Sequence, residues 1–374
     1  MNNLFISSLN EKDTNHFTSN QGLYLRKKGD KVFKKLCNLF TNANIIRMNL
    51  GENMTDDEYY ASLDTKKIPL SNYDLKEGKN NIILERYPKL EKDESYIFVC
   101  NHTCPEDIET VLNIIDRNAY LVLGSVKTLR EEMDGYLVWL NGTLPFDISD
   151  QSQRKEVIPK SERILKTNSI LIFPEGSHNL NPNKLINPLF DGPINMALNS
   201  GKKIVLLTLI RDSEKNISYV DASNPIDVEK MSKEMNNGLV CNTEKEQVKK
   251  MTSILRDKMA TSVMYILLRH DDMIKRNQYR NVEAYLRTMK IYDSFKRLDW
   301  KVQDDFAGEF KTKITKDEKE YQAIIRDMSL LTKKNKNLTF NEDYWVNLEK
   351  DLENKNIPKV MKEYAKKLVK IKNR

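Results

Sequence analysis

The stretch YIFVCNHTCPED, Tyr96 to Asp107, decides how the chain is read. Its first five residues, Tyr96 to Cys100, are apolar without the polar alternation of a half-exposed strand. That pattern predicts a strand buried on both faces, as in a parallel sheet. A polar loop follows at once. Pro105, a residue favoured in the first helical turn, predicts a helix from about Pro105 to Asp116. A buried strand that passes through a short polar loop into a helix is the building unit of α/β sheets, and ligands bind at the carboxyl ends of such strands.

The same alternation extends to both sides. Ile82–Leu84, Ala119–Leu123, Ser169–Phe173 and Ile204–Ile210 read as further strands, and Tyr136–Leu140 as a strand or a helix. Gln151–Lys166 and Pro193–Ser200 read as helices, with Gly201 placed as a C-cap glycine. Thr243 and Glu246 form a capping box that opens a long helix, with Val248, Met251, Ile254, Leu255, Met259, Val263 and Ile266 on one broad face. Met251, Met259 and Met264 read as core filler. Beyond about residue 270 the chain is charged and helical in pattern. The expected fold class is α/β, a single mixed and largely buried β-sheet flanked by helices. An N-terminal amphipathic helical segment precedes it and a C-terminal helical extension follows. The expected boundaries are 1–80, a helical membrane-facing segment; 81–268, the catalytic domain; and 269–374, the extension.

Residues 22–40 carry Phe33, Leu36, Cys37 and Phe40 at helical spacing, with Val32 and Leu39 widening the stripe and Gly29-Asp30 interrupting it. Arg26, Lys27, Lys28, Lys31, Lys34 and Lys35 crowd the same segment. Such a helix either lies in a lipid interface or docks on the core; the sequence leaves both open.

Composition narrows the function classes. The chain has 374 residues, 39% hydrophobic and 31% charged, with a net charge of +7. This excludes a disordered chain and leaves room for a large core. The mild basic excess suits an anionic membrane surface or substrate. No dense basic stripe with interleaved aromatics argues for nucleic acid, which is not an expected partner. The four cysteines, Cys37, Cys100, Cys104 and Cys241, do not fall into metal-ligand pairs, and reduced thiols are expected. The opening MNNLFISSLNEKD has no secretory pattern. The longest apolar runs fall far below the roughly 20 residues that span a bilayer, so the expected location is cytoplasmic, peripherally on the membrane.

Two motifs carry chemistry. In the first, His102 and Asp107 are five residues apart. On a continuous helix they would point apart, by roughly 140°. With Pro105 starting the helix, His102 stays in the loop and can fold back on Asp107. A carboxylate on one imidazole nitrogen sets the tautomer and leaves the other nitrogen free to take a proton. In the second motif, Phe173-Pro174-Glu175-Gly176-Ser177-His178 follows another buried strand. Gly176 permits a tight turn and close backbone approach. Arg269-His270-Asp271-Asp272 reads as a cationic helix end followed by a charged turn, not as a metal site.

The NHx4D element, about seventy residues, then FPEG, each at a strand end, resembles the glycerolipid acyltransferase family. The resemblance covers about residues 80–268. Lys127-Thr128-Leu129, Gly142 to Asp147, Phe190 to Ile210 and Ser223 to Val228 resemble further family blocks. It implies an acyl group arriving as a thioester on CoA or acyl carrier protein, with no other cofactor and no metal. It implies His102 as general base, held by Asp107, and direct attack of an acceptor hydroxyl. It implies substrate contacts from Asn101, Thr103, Lys127, Phe173, Pro174, Glu175, Gly176 and Ser177. The sequence departs from the family where Ile148 and His178 stand at positions usually occupied by arginines that grip the acceptor's phosphate. Cys104 stands at a usual serine, Lys127 remains, and Arg154 is a nearby substitute cation. The expected activity is acyl transfer to a lysophospholipid-type acceptor. The alternatives are a non-phosphate acceptor and a catalytically silent membrane scaffold.

Overall fold

The computed structural model describes residues 18–51, 53–62, 68–103, 106–124, 140–146, 151–176, 186–212, 215–238 and 243–270. Most of the expected element at Tyr136–Leu140 and nearly all of the 269–374 extension lie outside them. The chain divides into two units: residues 1–53, 76–178 and 189–254 make the first, and 54–75, 179–188 and 255–374 the second.

The first unit holds one sheet, eight-stranded among the described residues. In chain order the strands are β1 (Ala43–Arg47), β2 (Asn80–Arg86), β3 (Ile97–Cys100), β4 (Ala119–Leu123), β5 (Thr143–Pro145), β6 (Ser169–Ile172), β7 (Ile204–Asp212) and β8 (Ile217–Ala222). Their spatial order is β1-β2-β8-β7-β3-β6-β4-β5. Every neighbouring pair is parallel except β7 and β8. The sheet is therefore two parallel blocks of opposite direction, joined along one antiparallel seam. The expected mixed, buried α/β sheet is what forms. The strand signals at 82–84, 96–100, 119–123, 169–173 and 204–210 each overlap an observed strand, with Tyr96 and Phe173 falling one residue outside β3 and β6.

β3 sits in the interior of the larger block. Ile97, Phe98, Val99 and Cys100 are each fully buried, because β6 and β7 flank the strand and helices cover its faces. Each such side chain taken from water contributes about 1.5–3 kcal/mol, which explains the uninterrupted apolar run. The helices are α1 (Asn20–Thr41), α2 (Asp56–Ser62), α3 (Asp107–Ile114), α4 (Gln151–Leu165), α5 (Gly192–Ser200), α6 (Val228–Gly238) and α7 (Glu244–Arg269). α5 ends at Gly201, whose φ of 65° and N–H bond to the Ala197 carbonyl make the expected C-cap. The Glu246 N–H donates to Thr243 Oγ1 at the start of α7. Met251 and Met259 are buried, as core filler should be.

Three features depart from the expectation. α1 runs unbroken through Gly29-Asp30, with Asp30 bonded to Lys34 one turn on. Its inner face is Leu23, Phe33 and Cys37, which are buried in the first unit, while Val32 and Leu39 point outward instead of widening that face. β1 lies in the stretch ahead of residue 81 that was read as helical and extends the sheet beside β2. β8 was not read as a strand because it buries polar residues. Asp221 receives two bonds from Arg86 of β2, 3.1 and 3.4 Å, and Ser218 receives one from Arg211.

The second unit, described in part, packs α2 against the later part of α7. Tyr60 and Tyr265 stack at 4.9 Å, the Ile68 N–H donates to the Arg269 carbonyl, and Tyr73 lies beside His270.

Candidate active site

The site forms where β3 and β6 end. The two strands are parallel neighbours in a register that pairs Val99 with Ile172. Their carboxyl ends therefore emerge side by side, and the two motifs, some seventy residues apart in sequence, become adjacent in space.

From β3 the chain enters the loop at Asn101. The Asn101 side chain is buried and exchanges two bonds with the Leu209 peptide of β7: its amide donates to the carbonyl at 2.9 Å, and its oxygen accepts the N–H at 2.7 Å. It continues the ladder past the last residue of β3. Asp107 is the first residue of α3, so its carboxylate lies at the helix end that favours negative charge. His102 Nδ1 is 3.2 Å from Asp107 Oδ2, with the His102 side chain 10% exposed and Asp107 fully buried. An ionised carboxylate can only accept, so Nδ1 carries the proton and Nε2 is the basic nitrogen. Thr103 also turns on this carboxylate. Its backbone N–H donates to Oδ2, and its hydroxyl lies 3.1 and 3.2 Å from the two oxygens.

The second motif closes over the first. The Phe173 ring packs on the His102 imidazole, with centroids 4.5 Å apart. Pro174 is buried. Glu175 is 6% exposed, and its Oε1 accepts the His102 backbone N–H at 2.8 Å. Gly176, exposed at φ 72°, makes the turn by donating its N–H to the Phe173 carbonyl. The Phe190 ring covers Gly176, and the Phe190 N–H bonds the Pro174 carbonyl at 2.8 Å. Phe190, 59% exposed, is an aromatic rim residue; the sequence reading placed it at the start of a family block but not among the site residues.

The Cys100 thiol, below the loop, is pushed well up by burial and by the charges of Asp107 and Glu175, so it stays protonated. Cys104, Pro105, Lys127, Asp147, Ile148, Ser177 and His178 lie outside the described residues. Arg154, the candidate substitute cation, is exposed on α4. Among the described residues no cluster of His, Cys, Asp and Glu could hold a metal ion.

The arrangement is a buried imidazole whose Nδ1 faces one carboxylate, whose backbone N–H is held by a second and whose ring packs on an aromatic ring, a geometry able to accept a proton at Nε2. Residues 81–210 match the model of the family described as Acyltransferase. That segment holds both motifs, and the resemblance to the glycerolipid acyltransferases read from them is borne out. Among solved structures, the crystal structure of the 1-acyl-sn-glycerophosphate (LPA) acyltransferase, PlsC, from Thermotoga maritima is similar over 70% of this chain and 86% of that one. The identity is 15% and the TM-score 0.36. No curated protein matches the chain.

Proposed function

We propose that the chain transfers a fatty acyl group from an acyl thioester, on CoA or acyl carrier protein, to a hydroxyl of a lysophospholipid-type acceptor, with lysophosphatidate the first acceptor to try. The observation that carries this reading is the buried His102–Asp107 pair at paired strand ends, inside the segment that matches the acyltransferase family. His102 Nε2 takes the proton of the acceptor hydroxyl as its oxygen attacks the thioester carbonyl. The C–S bond breaks, an ester C–O bond forms, and the proton passes from Nε2 to the departing thiolate. Asp107 stabilises the imidazolium in between. Phe173 fixes the ring plane and Glu175 the backbone beneath it. The exposed turn at Gly176 presents backbone to the acceptor, with Lys127 and Ser177 as further contacts. No metal takes part in this mechanism.

Replacement of His102 by alanine lowers turnover of oleoyl-CoA with lysophosphatidate by roughly 10²–10⁴-fold, the usual worth of a positioned general base. Near-infrared or mass-spectrometric counting of product, with circular dichroism to verify folding, checks this. A folded variant that turns over at the wild-type rate removes His102 from the mechanism.

A second reading rests on Ile148 and His178, which stand where phosphate-gripping arginines are usual in the resembling family. It keeps the same base and replaces lysophosphatidate by an acceptor without phosphate. Saturable use of lysophosphatidate in preference to neutral hydroxyl and amine acceptors rejects it.

We also place the enzyme peripherally on the cytoplasmic face of a membrane. No described helix is long and apolar enough to cross one. What supports contact with the surface is the outward face of α1. Leu25, Val32 and Leu39 recur there every seven residues and are 59–75% exposed, with Lys28, Lys31 and Lys35 exposed among them. The only carboxylate of α1, Asp30, is bonded to Lys34. An apolar stripe edged by cations and free of anions is complementary to anionic headgroups.

A further inference from the structure

We infer that Thr103 is a positioning residue for the His102–Asp107 pair, not a contact for the acceptor. The inference deepens the proposed acyl transfer and rests on it only for the kinetic half of its test.

Thr103 is half-buried and brings two donors to one carboxylate. A carboxylate on a single-bonded stem can rotate, and rotation would carry Oδ2 away from His102 Nδ1. The backbone N–H of Thr103 holds Oδ2, and the hydroxyl lies nearly equidistant from both oxygens, at 3.1 and 3.2 Å. Together with Nδ1 this directs three donors from two consecutive residues onto a fully buried group. Asp107 cannot donate while ionised, so the Thr103 hydroxyl proton points inward and is not offered to substrate. The hydroxyl also draws charge from the carboxylate that stabilises the imidazolium. Hydrogen bonds to charged groups are the strong ones, and the loss of one is felt.

The effect on pH dependence has a definite sign. The described groups facing the His102 loop are Asp107 from α3, Glu175 from the turn after β6 and the neutral Cys100 thiol at the end of β3. Without the hydroxyl, the Asp107 charge is less shared and holds the imidazolium more strongly. The free base then appears only at higher pH, and the acid limb of kcat/KM moves upward.

Thr103→Val removes the hydroxyl and keeps shape and backbone N–H; Thr103→Ser restores the hydroxyl. With oleoyl-CoA and lysophosphatidate, Thr103→Val lowers kcat roughly tenfold, leaves the acceptor KM unchanged and displaces the acid limb upward. Thr103→Ser recovers both rate and profile. In the full chain labelled with ¹⁵N-histidine, the His102 ring signal, assigned by its loss in His102→Ala, titrates with the same displacement. A raised acceptor KM with unchanged kcat and profile overturns the inference in favour of an acceptor contact. A lowered melting temperature with an unmoved profile overturns it in favour of a purely structural role. If the wild-type protein does not use these substrates, the proposed activity fails separately and the ring titration alone decides: coincident curves for wild type and Thr103→Val overturn the inference.

Discussion

Gly176 shows how much one backbone angle decides. Two penalties oppose a side chain there: the left-handed φ of 72° and the Phe190 ring that a Cβ would strike. Their sizes differ. Phe190 is largely exposed and its ring can swing outward, whereas a non-glycine residue in the left-handed region costs about 1–2 kcal/mol wherever its neighbours go. Gly176→Ala is therefore expected to lower the unfolding free energy by about 1–2 kcal/mol in urea titrations. Adding Phe190→Ala should not restore it. Full recovery in the double variant would show that the clash, and not the backbone angle, requires glycine. At this scale the sequence was informative about identity and silent about partners. His102, Asp107 and Glu175 were all legible as candidates. That Glu175 grips the His102 backbone, and that Asn101 spends its amide on Leu209, follows from neighbouring strands that the local sequence does not mention.

At the scale of the element, the end of α7 carries a buried ionisable pair. His270 is pushed down to about 3 by burial first and by the Arg269 charge second. A base whose folded value lies below its ordinary 6.5 binds fewer protons folded than unfolded between those limits. Its contribution to stability is complete above pH 6.5 and is lost as pH falls toward about 3. Melting temperatures should thus decline steadily as pH is lowered from 7 to 5, and His270→Gln should flatten that slope. Asp116 does not confuse the reading. Burial opposes its charge, but the Arg117 guanidinium and the Tyr87 hydroxyl outweigh it and hold the carboxyl below its ordinary 3.8. Its stabilisation is lost only in stronger acid. Equal slopes in wild type and His270→Gln would remove His270 from the acid response. The elements read best from sequence were those with an uninterrupted apolar run or a full helical period, such as β3, β4, β6 and α4. β5, only three residues long, and β8, with its buried Asp221, carry no such signal.

On the scale of the whole molecule, α1 packs one face on the first unit and leaves the other exposed. The same helix that buries Leu23, Phe33 and Cys37 presents Leu25, Val32 and Leu39 to solvent. Of the two readings left open by the sequence, docking on the core is met by the buried face, and the exposed face is the one the proposed lipid contact would use. The proposed membrane contact predicts sedimentation with phosphatidylglycerol vesicles that weakens as salt is raised. Lys28→Glu with Lys35→Glu should reduce it steeply, since each basic residue near an anionic surface is worth about 1 kcal/mol. Leu25→Ser, Val32→Ser and Leu39→Ser together should reduce it at every salt concentration. Vesicle binding untouched by both sets would place the contact elsewhere.

The sequence by itself determined the α/β class, the buried strand β3, the helix that follows it and the catalytic candidates on both motifs. These rest on periodicity, on apolar runs and on short-range geometry, which neighbouring residues encode. Only the tertiary structure decided the antiparallel seam between β7 and β8, the outward face of α1 and the meeting of His102 with Glu175. Each of these depends on which strand pairs with which, and in what register. That choice is made by burial and hydrogen bonding between segments far apart in the chain, so no single stretch of sequence contains it.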